Sequence, residues 1–341
     1  MTATGKAPIG VIGAGAWGTA LAQMLASDGR EVRLWALEPE LVERINADHR
    51  NPVYLPSAEL APTIRATSTL GDLGDCATIL AVTPAQHLGK VLGGLRAAPR
   101  DLVLCSKGIE AGSGRLMNAV VTEAAPDSEV AVLSGPTFAH EVAAGLPTAV
   151  TLACGGGEDQ WDRLAPAIAR PSFRPYYSDD VVGAEIGGSV KNVLAIACGV
   201  VDGLGLGQNA RAALIARGYA EMLRFGEALG ARPETLAGLC GLGDLVLTCS
   251  STSSRNFSLG KALGEGQSAQ SLMADRRTVA EGAHTAPVLT ELAMRHGIAM
   301  PIVAAVYRLL GGAPAREIVS ELLARPLRSE QDEPGAQDSP A

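Results

Sequence analysis

The sequence lacks the cysteine and histidine patterns that build disulfide frameworks or metal sites. None of its six cysteines forms a C-x-x-C pair or a cysteine–histidine spacing typical of zinc. The five histidines show no metal-ligand spacing and no arrangement with a serine or cysteine nucleophile. We therefore expect buried free thiols in a reducing compartment, and no bound metal ion.

The sequence also lacks an excess of positive charge and a long apolar segment. Its formal net charge of −8 argues against binding to nucleic acid or to a membrane surface. No charge-free apolar run reaches the length of a membrane span, and Met1–Ala7 lacks the apolar core of a signal peptide. We expect a cytoplasmic protein without stable membrane insertion.

A glycine pattern stands near the beginning of the chain. Ile9–Ile12 suits a short buried strand, and it is followed by Gly13, Gly15 and Gly18 in the spacing G-x-G-x-x-G and then by an apolar helical run. In this pattern the glycines allow a tight turn, the approach of a pyrophosphate and close helix–strand packing. The pattern predicts a dinucleotide site. The alternative is a purely structural turn, because a chain with 40 glycines produces such spacings by chance.

An acidic residue follows the second predicted strand, Glu31–Leu37. Glu38 lies about 20 residues after Gly18, where a carboxylate accepts hydrogen bonds from the adenosine ribose. The alternative is a solvated loop carboxylate. No arginine is adjacent to Glu38 to bind a 2′-phosphate, which favours NAD over NADP, although Arg33 and Arg44 are near enough in sequence to be considered.

Apolar segments alternate with helical segments through the first half of the chain. Further strands are predicted at Thr63–Thr67, Thr78–Val82, Leu102–Cys105, Val130–Leu133, Thr148–Ala153 and Phe173–Tyr177. Such alternation indicates a parallel sheet, whose ligands bind at the carboxyl ends of the strands. Lys107 and the loop Ser134–Phe138 follow two of these strands, and they are therefore candidate ligand contacts.

The sequence pattern changes near Asp180. No strand is predicted from Val181 to Leu229, and helical patterns continue to Leu310. We predict an α/β N-terminal Rossmann domain with a parallel doubly wound sheet over residues 1–180, and an all-α C-terminal domain over residues 181–327. Residues 328–341 are polar and contain two prolines, so we predict a disordered tail.

Lys191 interrupts an apolar helical segment that reads GGSVKNVL. One interpretation is a buried lysine, whose neutral form is favoured by burial and can act as a general base. The other is a lysine whose stem lies along the surface while its amine reaches water. Asn192 beside it adds a donor and an acceptor to the same segment.

A second polar segment begins at Asp244, one helical turn before Thr248. The hydroxyl cluster Ser250–Ser254 then precedes Arg255 and Asn256 at a predicted helix start. Hydroxyl caps, free N–H groups and an arginine fork together predict a phosphate-binding site. The alternative is an N-capped surface loop with a solvated arginine.

These motifs together closely resemble the bacterial NAD(P)-dependent glycerol-3-phosphate dehydrogenases, from about Ile9 to Ala324. The resemblance is carried by GAGAWGTALA, LCSKGIE, LSGPTFAHEVAAGLPTA, GGSVKNVLAIACGVVDG, NARAALIARGYAEM, GLCGLGDLVLTCSSTSSRN and VAEG. It implies a Rossmann domain, a helical domain and an active site in the cleft between them. It also implies interconversion of sn-glycerol 3-phosphate and dihydroxyacetone phosphate, a small phosphorylated triose, for phospholipid synthesis.

The resemblance also implies roles for single residues. Lys191 matches the general acid/base. We expect Lys107 to polarise the substrate oxygen or to steady the substrate, and Asp244 to tune Lys191. The matching substrate contacts are Lys107, Gly135, Thr137, Lys191, Asp244, Ser254, Arg255 and Asn256. The matching cofactor contacts are Ala16, Trp17, Ala139, Arg255, Val279 and Glu281, to which we add Gly13, Gly15, Gly18, Glu38 and Lys107. Many bacterial members have His or Arg where this chain has Leu37, a departure that favours NAD.

Other functions fit parts of the pattern. Dehydrogenases of the 6-phosphogluconate and 2-hydroxyacid-reducing types also combine a Rossmann domain, a helical domain and a lysine. A non-catalytic NAD(H) sensor would bind nucleotide and signal to a partner, but it has no need of Lys191, Lys107 and Asp244 together. We expect a homodimer whose contact surface is supplied by the helical domain.

Overall fold

The computed structural model describes residues 6–274 and 280–326. These residues form two compact units. Unit 1 contains residues 6–110 and 115–185, and unit 2 contains residues 111–114 and the described residues from 186 onward. The predicted tail at 328–341 and the predicted cofactor contact Val279 lie outside the described residues.

Unit 1 is built around one eight-stranded sheet with the strand order β10-β9-β8-β7-β6-β1-β2-β5. The strands are β1 Ile9–Ile12, β2 Val32–Trp35, β3 Arg50–Asn51, β4 Leu55–Glu59, β5 Ile64–Thr67, β6 Thr78–Ala81, β7 Arg100–Leu104, β8 Ser128–Ser134, β9 Thr148–Cys154 and β10 Phe173–Ser178. Strands β3 and β4 form a separate antiparallel hairpin.

The helices continue through both units. They are α1 Ala16–Ala26, α2 Pro39–Asp48, α3 Leu88–Leu92, α4 Met117–Ala124, α5 Ala139–Ala143, α6 Gly157–Ile168, α7 Val181–Gly203, α8 Gly207–Ala228, α9 Pro233–Ala237, α10 Asp244–Thr248, α11 Arg255–Gly264, α12 Ala269–Ala274, α13 Glu281–Arg295, α14 Pro301–Leu310 and α15 Ala315–Leu323. In the described part of unit 2 the regular elements are all helical, which confirms the predicted fold class.

Apolar strands place the sheet in the core of unit 1. All four residues of β1 are buried, as expected for a parallel strand covered on both faces. Strand β1 pairs in parallel with β2 on one side and with β6 on the other, so the chain reverses its winding direction between β1 and β6. In open α/β sheets this reversal creates a crevice at the carboxyl ends of the strands, where ligands bind.

The sheet differs from the prediction in one pairing and one hairpin. Strand β9 runs antiparallel to β8, because the short helix α5 and its turn return the chain to the sheet in the opposite direction. No sequence pattern indicated the hairpin of β3 and β4, since the segment Leu55–Glu59 is short, contains a proline and is mostly exposed. Strand β2 is also shorter than the predicted Glu31–Leu37.

Helix α7 is long and apolar enough to cross a membrane by length and composition. However, 89% of its most apolar 18-residue stretch is buried within the protein, as in the core helix of a globular fold. It is the one such helix among the described residues.

A buried carboxylate joins two helices of unit 2. Glu221 on α8 accepts hydrogen bonds from the N–H groups of Ile302 (2.7 Å) and Val303 (3.2 Å), in the first turn of α14. These N–H groups have no partner inside their own helix, so the carboxylate caps it. Burial nevertheless raises the pKa of Glu221 to about 7, because the ion is removed from water.

We expect this carboxyl group to make stability depend on pH. Its pKa rises from 4.5 to about 7 on folding, so the folded state holds the proton more tightly and stability falls as pH rises through that window. Glu221→Gln should remove this contribution, which amounts to at most about 3 kcal/mol of the difference in unfolding free energy between low and high pH. Urea unfolding at about pH 5 and about pH 8 measures it. The exposed Glu227→Gln on the same helix is the control, and equal pH slopes in both variants would contradict the assignment.

Candidate active site

The predicted glycine motif forms a tight connection between β1 and α1. Gly13 has φ +112°, a conformation that favours glycine, and its N–H donates to the carbonyl of Trp35 at 2.9 Å. A Cβ on Gly18 would lie 1.8 Å from the carbonyl oxygen of Gly13, so any larger residue would separate helix from strand. A Cβ on Gly15, by contrast, would meet nothing within 4 Å. The open space is therefore at the position where the motif admits a pyrophosphate.

The hairpin that the sequence did not predict braces this loop. Asn51 on β3 is fully buried, and its Nδ2 donates to the carbonyl of Ala14 and to the hydroxyl of Thr19, both at 2.8 Å. The Thr19 hydroxyl itself donates to the carbonyl of Ala14 at 3.1 Å. Two side chains thus fix the Ala14 carbonyl and, with it, the loop conformation.

The start of α1 suits an anionic group. Gly15 is the N-cap residue, no side chain caps the helix, and its first turn carries no acidic residue. The first N–H groups of the helix are therefore available, at the positive end of its dipole, to bind a phosphate. Within the described residues, the buried hydroxyls of Thr83 and Ser134, which follow β6 and end β8, have no hydrogen-bond partner. This edge of the sheet fits a dinucleotide.

Glu38 lies at the N-cap of α2, just beyond β2, and is exposed. Tyr54, from the turn between β3 and β4, donates its hydroxyl to Glu38 Oε1 at 3.2 Å. Burial and the neighbouring carboxylate raise the pKa of Tyr54.

The two arginines near Glu38 in sequence form hydrogen bonds with other carboxylates. Arg33 donates to Glu31 (2.9 Å) and to Asp75, whereas Arg44 donates to Asp48 (2.7 Å). Neither arginine forms a hydrogen bond or an ion pair with Glu38.

The other predicted contacts of unit 1 follow neighbouring strands. Lys107 comes after β7, and Gly135 comes directly after β8. A Cβ on Gly135 would lie 2.9 Å from the Cα of Val150, so this loop crosses β9 closely. The Thr137 hydroxyl donates to the carbonyl of Gly135 at 3.3 Å, and Ala139 begins α5. The carboxyl ends of these strands thus collect the residues that the sequence singled out.

Unit 2 contains a buried ion pair. Lys191 on α7 is 4% exposed, and its ammonium contacts Oδ2 of Asp244, which is fully buried. The other carboxylate oxygen, Oδ1, accepts a hydrogen bond from Thr248 at 3.2 Å. Of the two interpretations of Lys191, the structure supports the buried one. A buried amine with a fixed carboxylate partner is a group that can give and take a proton at a defined position.

A π-helical turn positions the carboxylate. Residues Leu239–Gly243 form this turn, in which the N–H of Gly243 donates to the carbonyl of Gly238 at 3.0 Å, and Asp244 follows as the first residue of α10. The turn packs directly on α7, because a Cβ on Gly187 would lie 2.4 Å from the carbonyl oxygen of Cys240. Turns of this kind occur frequently at functional sites.

The cysteines behave as the sequence predicted. All six are free and buried. Two of them, Cys198 and Cys249, are hydrogen-bonded to each other close to the Lys191–Asp244 pair, and burial raises the pKa of the Cys249 thiol. Among residues 6–274 and 280–326, no group of three or more histidine, cysteine, aspartate or glutamate side chains is placed to hold a metal ion.

The start of α11 carries the predicted phosphate receptor. Ser254 caps the helix, its hydroxyl accepting from the N–H of Phe257 at 3.3 Å. Arg255, the first helical residue, is exposed, and no described residue pairs with its guanidinium. A cation at this end adds to the positive pole of the helix dipole, an arrangement that an anion would stabilise. Asn256 is buried and bonded to Asn192 on α7 at 2.9 Å.

The predicted residues therefore form two groups, one in each unit. In unit 2, the described members are Lys191, Asp244, Ser254, Arg255, Asn256 and Glu281, the last of which begins α13. Sequence reasoning missed Asn51 and Tyr54, because it missed their hairpin. It also missed Gly282, whose N–H donates to Asn256; its place in the VAEG segment was the available signal.

Two family models match the chain. NAD-dependent glycerol-3-phosphate dehydrogenase N-terminus matches residues 8–160, and NAD-dependent glycerol-3-phosphate dehydrogenase C-terminus matches residues 180–320.

Several known proteins are similar over nearly their whole length. A protein of Erythrobacter litoralis named glycerol-3-phosphate dehydrogenase, NAD(P)+, is 74% identical over 96% of this chain and 98% of its own. One of Caulobacter vibrioides with the same name is 55% identical over 94% of this chain and 98% of its own. The crystal structure of glycerol-3-phosphate dehydrogenase from Coxiella burnetii is similar with a TM-score of 0.89 and 42% identity, covering 94% of this chain and 99% of that one.

Proposed function

Because the chain belongs to the NAD-dependent glycerol-3-phosphate dehydrogenase family, we propose that it interconverts sn-glycerol 3-phosphate and dihydroxyacetone phosphate with NAD(P)(H). It is an oxidoreductase. The observation that carries this activity is the buried ion pair of Lys191 and Asp244, because a redox reaction at a carbinol carbon requires a proton donor and acceptor at its oxygen.

Lys191 moves the proton. In the reductive direction its ammonium donates a proton to the carbonyl oxygen of dihydroxyacetone phosphate, and in the oxidative direction its neutral amine removes that proton. Asp244 stabilises the ammonium form, and the hydroxyl of Thr248 fixes the orientation of the carboxylate. When bound, the nicotinamide supplies the hydride in reduction and accepts it in oxidation. Lys107 polarises the substrate oxygen.

The start of α11 binds the substrate phosphate. Arg255 supplies a planar fork of donors and Asn256 supplies an amide, while the first N–H groups of the helix add the positive pole of its dipole. On the other unit, the N-terminus of α1 binds the pyrophosphate of the dinucleotide and Glu38 binds the adenosine ribose.

The activity is tested by the absorbance of the reduced cofactor in the presence of dihydroxyacetone phosphate. We expect oxidation of NADH by the wild-type protein. Binding of NADH without oxidation would favour a nucleotide sensor. Reduction of NAD(P)+ with 6-phosphogluconate, or oxidation of NADH with a 2-oxo acid, without activity toward dihydroxyacetone phosphate would favour the other dehydrogenase types.

We also propose that NAD(H) is the preferred cofactor. A carboxylate at Glu38 accepts the ribose hydroxyls but repels a 2′-phosphate, and Tyr54 holds this carboxylate in place. Leu37, at 74% exposure, offers no charge at the neighbouring position.

The preference depends on Glu38. We expect Glu38→Gln to lower kcat/KM for NADH about 10-fold and to raise the relative use of NADPH, because one charged hydrogen-bond acceptor is lost. Initial rates with both cofactors measure the ratio. Glu43→Gln, an exposed carboxylate on the same helix, is the matched control. An unchanged cofactor ratio in Glu38→Gln would exclude this residue as the determinant.

We propose that the protein is a homodimer and that it is located in the cytoplasm. We also propose that the glycerol 3-phosphate it produces is used for phospholipid synthesis. Helices α13, α14 and α15 each expose a large apolar side chain, Met294, Tyr307 and Leu323, which supports a contact surface on unit 2. Light scattering coupled to size exclusion measures the mass, and a monomer at all concentrations would contradict the dimer.

A further inference from the structure

The orientation of one substrate-contacting amide is fixed by its surroundings. The Oδ1 of Asn256 accepts a hydrogen bond from the backbone N–H of Gly282 at 2.9 Å. A backbone N–H can only donate, so the group of Asn256 that faces Gly282 must be the oxygen. Gly282 lies in the first turn of α13, where N–H groups have no partner within the helix.

The other side of the amide leads to the same orientation. Asn256 Nδ2 donates to Oδ1 of Asn192 at 2.9 Å, and Asn192 Nδ2 donates to the backbone carbonyl of Gly188 at 3.3 Å. A carbonyl can only accept. The two amides thus form a chain of hydrogen bonds with one polarity, bounded by a backbone donor on α13 and a backbone acceptor on α7. Flipping either amide would break two bonds at once.

We infer that Gly282 and Asn192 are positioning residues that lock the Asn256 amide so that it presents an N–H, and never its oxygen, to the substrate phosphate. This inference rests on the proposed function. Nδ2 has two hydrogens, and Asn192 takes one of them, which leaves the second for a ligand. A phosphate carries only acceptors, so an amide locked in this orientation recognises it, whereas the opposite orientation would place oxygen against oxygen.

The backbone at Gly282 packs too closely against its neighbours to leave room for a side chain. A Cβ on Gly282 would lie 2.5 Å from the carbonyl oxygen of Asn192 and 2.9 Å from Oδ1 of Asn256. Even one methyl group would therefore push α13 away from both asparagines and lengthen the bond that sets the orientation. Glycine is needed here for close approach of the backbone.

Two variants of Asn256 test the orientation. Asn256→Ala removes the donor, and we expect KM for dihydroxyacetone phosphate to rise about 10–100-fold. Asn256→Asp keeps an oxygen for the Gly282 N–H but directs a second oxygen toward the phosphate, so its KM should exceed that of the alanine variant by about 10-fold or more. A KM for Asn256→Asp equal to or below that of Asn256→Ala would overturn the inference, because an amide that presents its oxygen would be mimicked by a carboxylate.

Gly282→Ala tests the positioning role without touching substrate chemistry. We expect KM for dihydroxyacetone phosphate to rise at least about 10-fold relative to the control Gly311→Ala, and by a larger factor than the Kd for NADH measured by fluorescence. The Tm should fall as well, because the added Cβ meets a backbone carbonyl. Gly311 lies at the end of α14, where a Cβ comes no closer than 3.3 Å to its nearest neighbour. An unchanged KM in a folded Gly282→Ala protein would also overturn the inference.

The outcomes separate the inference from the function on which it rests. If the wild-type protein does not oxidise NADH with dihydroxyacetone phosphate, the proposed function fails. If the wild type is active but the alanine variant of Asn256 has the higher KM, only the orientation fails. Should Gly282→Ala not fold, the order of the two Asn256 variants still decides.

Discussion

Replacing Lys191 with alanine is expected to lower turnover by about 10²–10⁴-fold while the protein still binds NADH. In the proposed mechanism the lysine exchanges a proton with the substrate oxygen, and general acid–base catalysis contributes a factor of this size. Steady-state rates and a fluorescence titration with NADH measure the two quantities separately. Near-wild-type turnover would contradict the assignment of Lys191 as the general acid/base.

The same substitution should also destabilise unit 2. Asp244 is fully buried, so removing the ammonium leaves an uncompensated carboxylate at a cost of about 3–5 kcal/mol. The double variant Lys191→Met with Asp244→Asn removes both charges, and it should recover much of the stability without recovering turnover. This difference separates the catalytic loss from a folding defect.

A second lysine–aspartate pair provides the control. Lys261 contacts Asp202 at 2.7 Å on the surface of unit 2, with the lysine side chain 39% exposed. Because exposed pairs contribute little, Lys261→Met should leave both turnover and stability close to wild type. A loss of activity in Lys261→Met comparable to that in Lys191→Ala would mean that the assay reports surface charge rather than proton transfer.

Replacing Gly18 with alanine is expected to destabilise unit 1 by more than about 3 kcal/mol and to abolish NADH binding. The added Cβ would lie 1.8 Å from a backbone oxygen, which cannot move aside as the end of a flexible side chain can. Thermal unfolding and NADH titration measure both effects. A variant with normal Tm would show that α1 and β1 can separate at low cost.

Gly15→Ala is the matched variant in the same loop. Gly15 has φ −64°, which alanine adopts readily, and its Cβ would meet nothing within 4 Å. We therefore expect nearly normal stability. NADH should nevertheless bind at least about 10-fold more weakly, because the methyl group occupies the space through which the pyrophosphate approaches the backbone. Tight NADH binding by Gly15→Ala would place the pyrophosphate elsewhere.

The sequence determined the elements whose signals are local. The strand Ile9–Ile12, the glycine loop and α1 were predicted correctly, because buried apolar runs and glycine spacing reflect the backbone of adjacent residues. The ends of the strands were less accurate: Glu31–Leu37 was predicted where β2 covers Val32–Trp35. A parallel strand ends where its neighbours end, and the neighbours are distant in sequence.

Distant contacts explain what the sequence did not provide. The hairpin of β3 and β4 has no apolar alternation, yet it supplies Asn51 to the glycine loop and Tyr54 to Glu38. These contacts, and the burial of Leu55 in the core of unit 1, join the hairpin to residues that are distant in sequence. The antiparallel β9 is a further example, since the direction of a strand depends on how the preceding loop returns to the sheet.

By itself, the sequence determined the fold class, the dinucleotide loop and the residue types of the polar segments. The tertiary structure decided how those residues act: it buried Lys191 against Asp244, where the sequence left a surface lysine equally open. It also fixed the Asn256 amide between Gly282 and Asn192. The protonation and orientation of a polar group depend on its burial and on its donor and acceptor neighbours, and here those neighbours come from different helices.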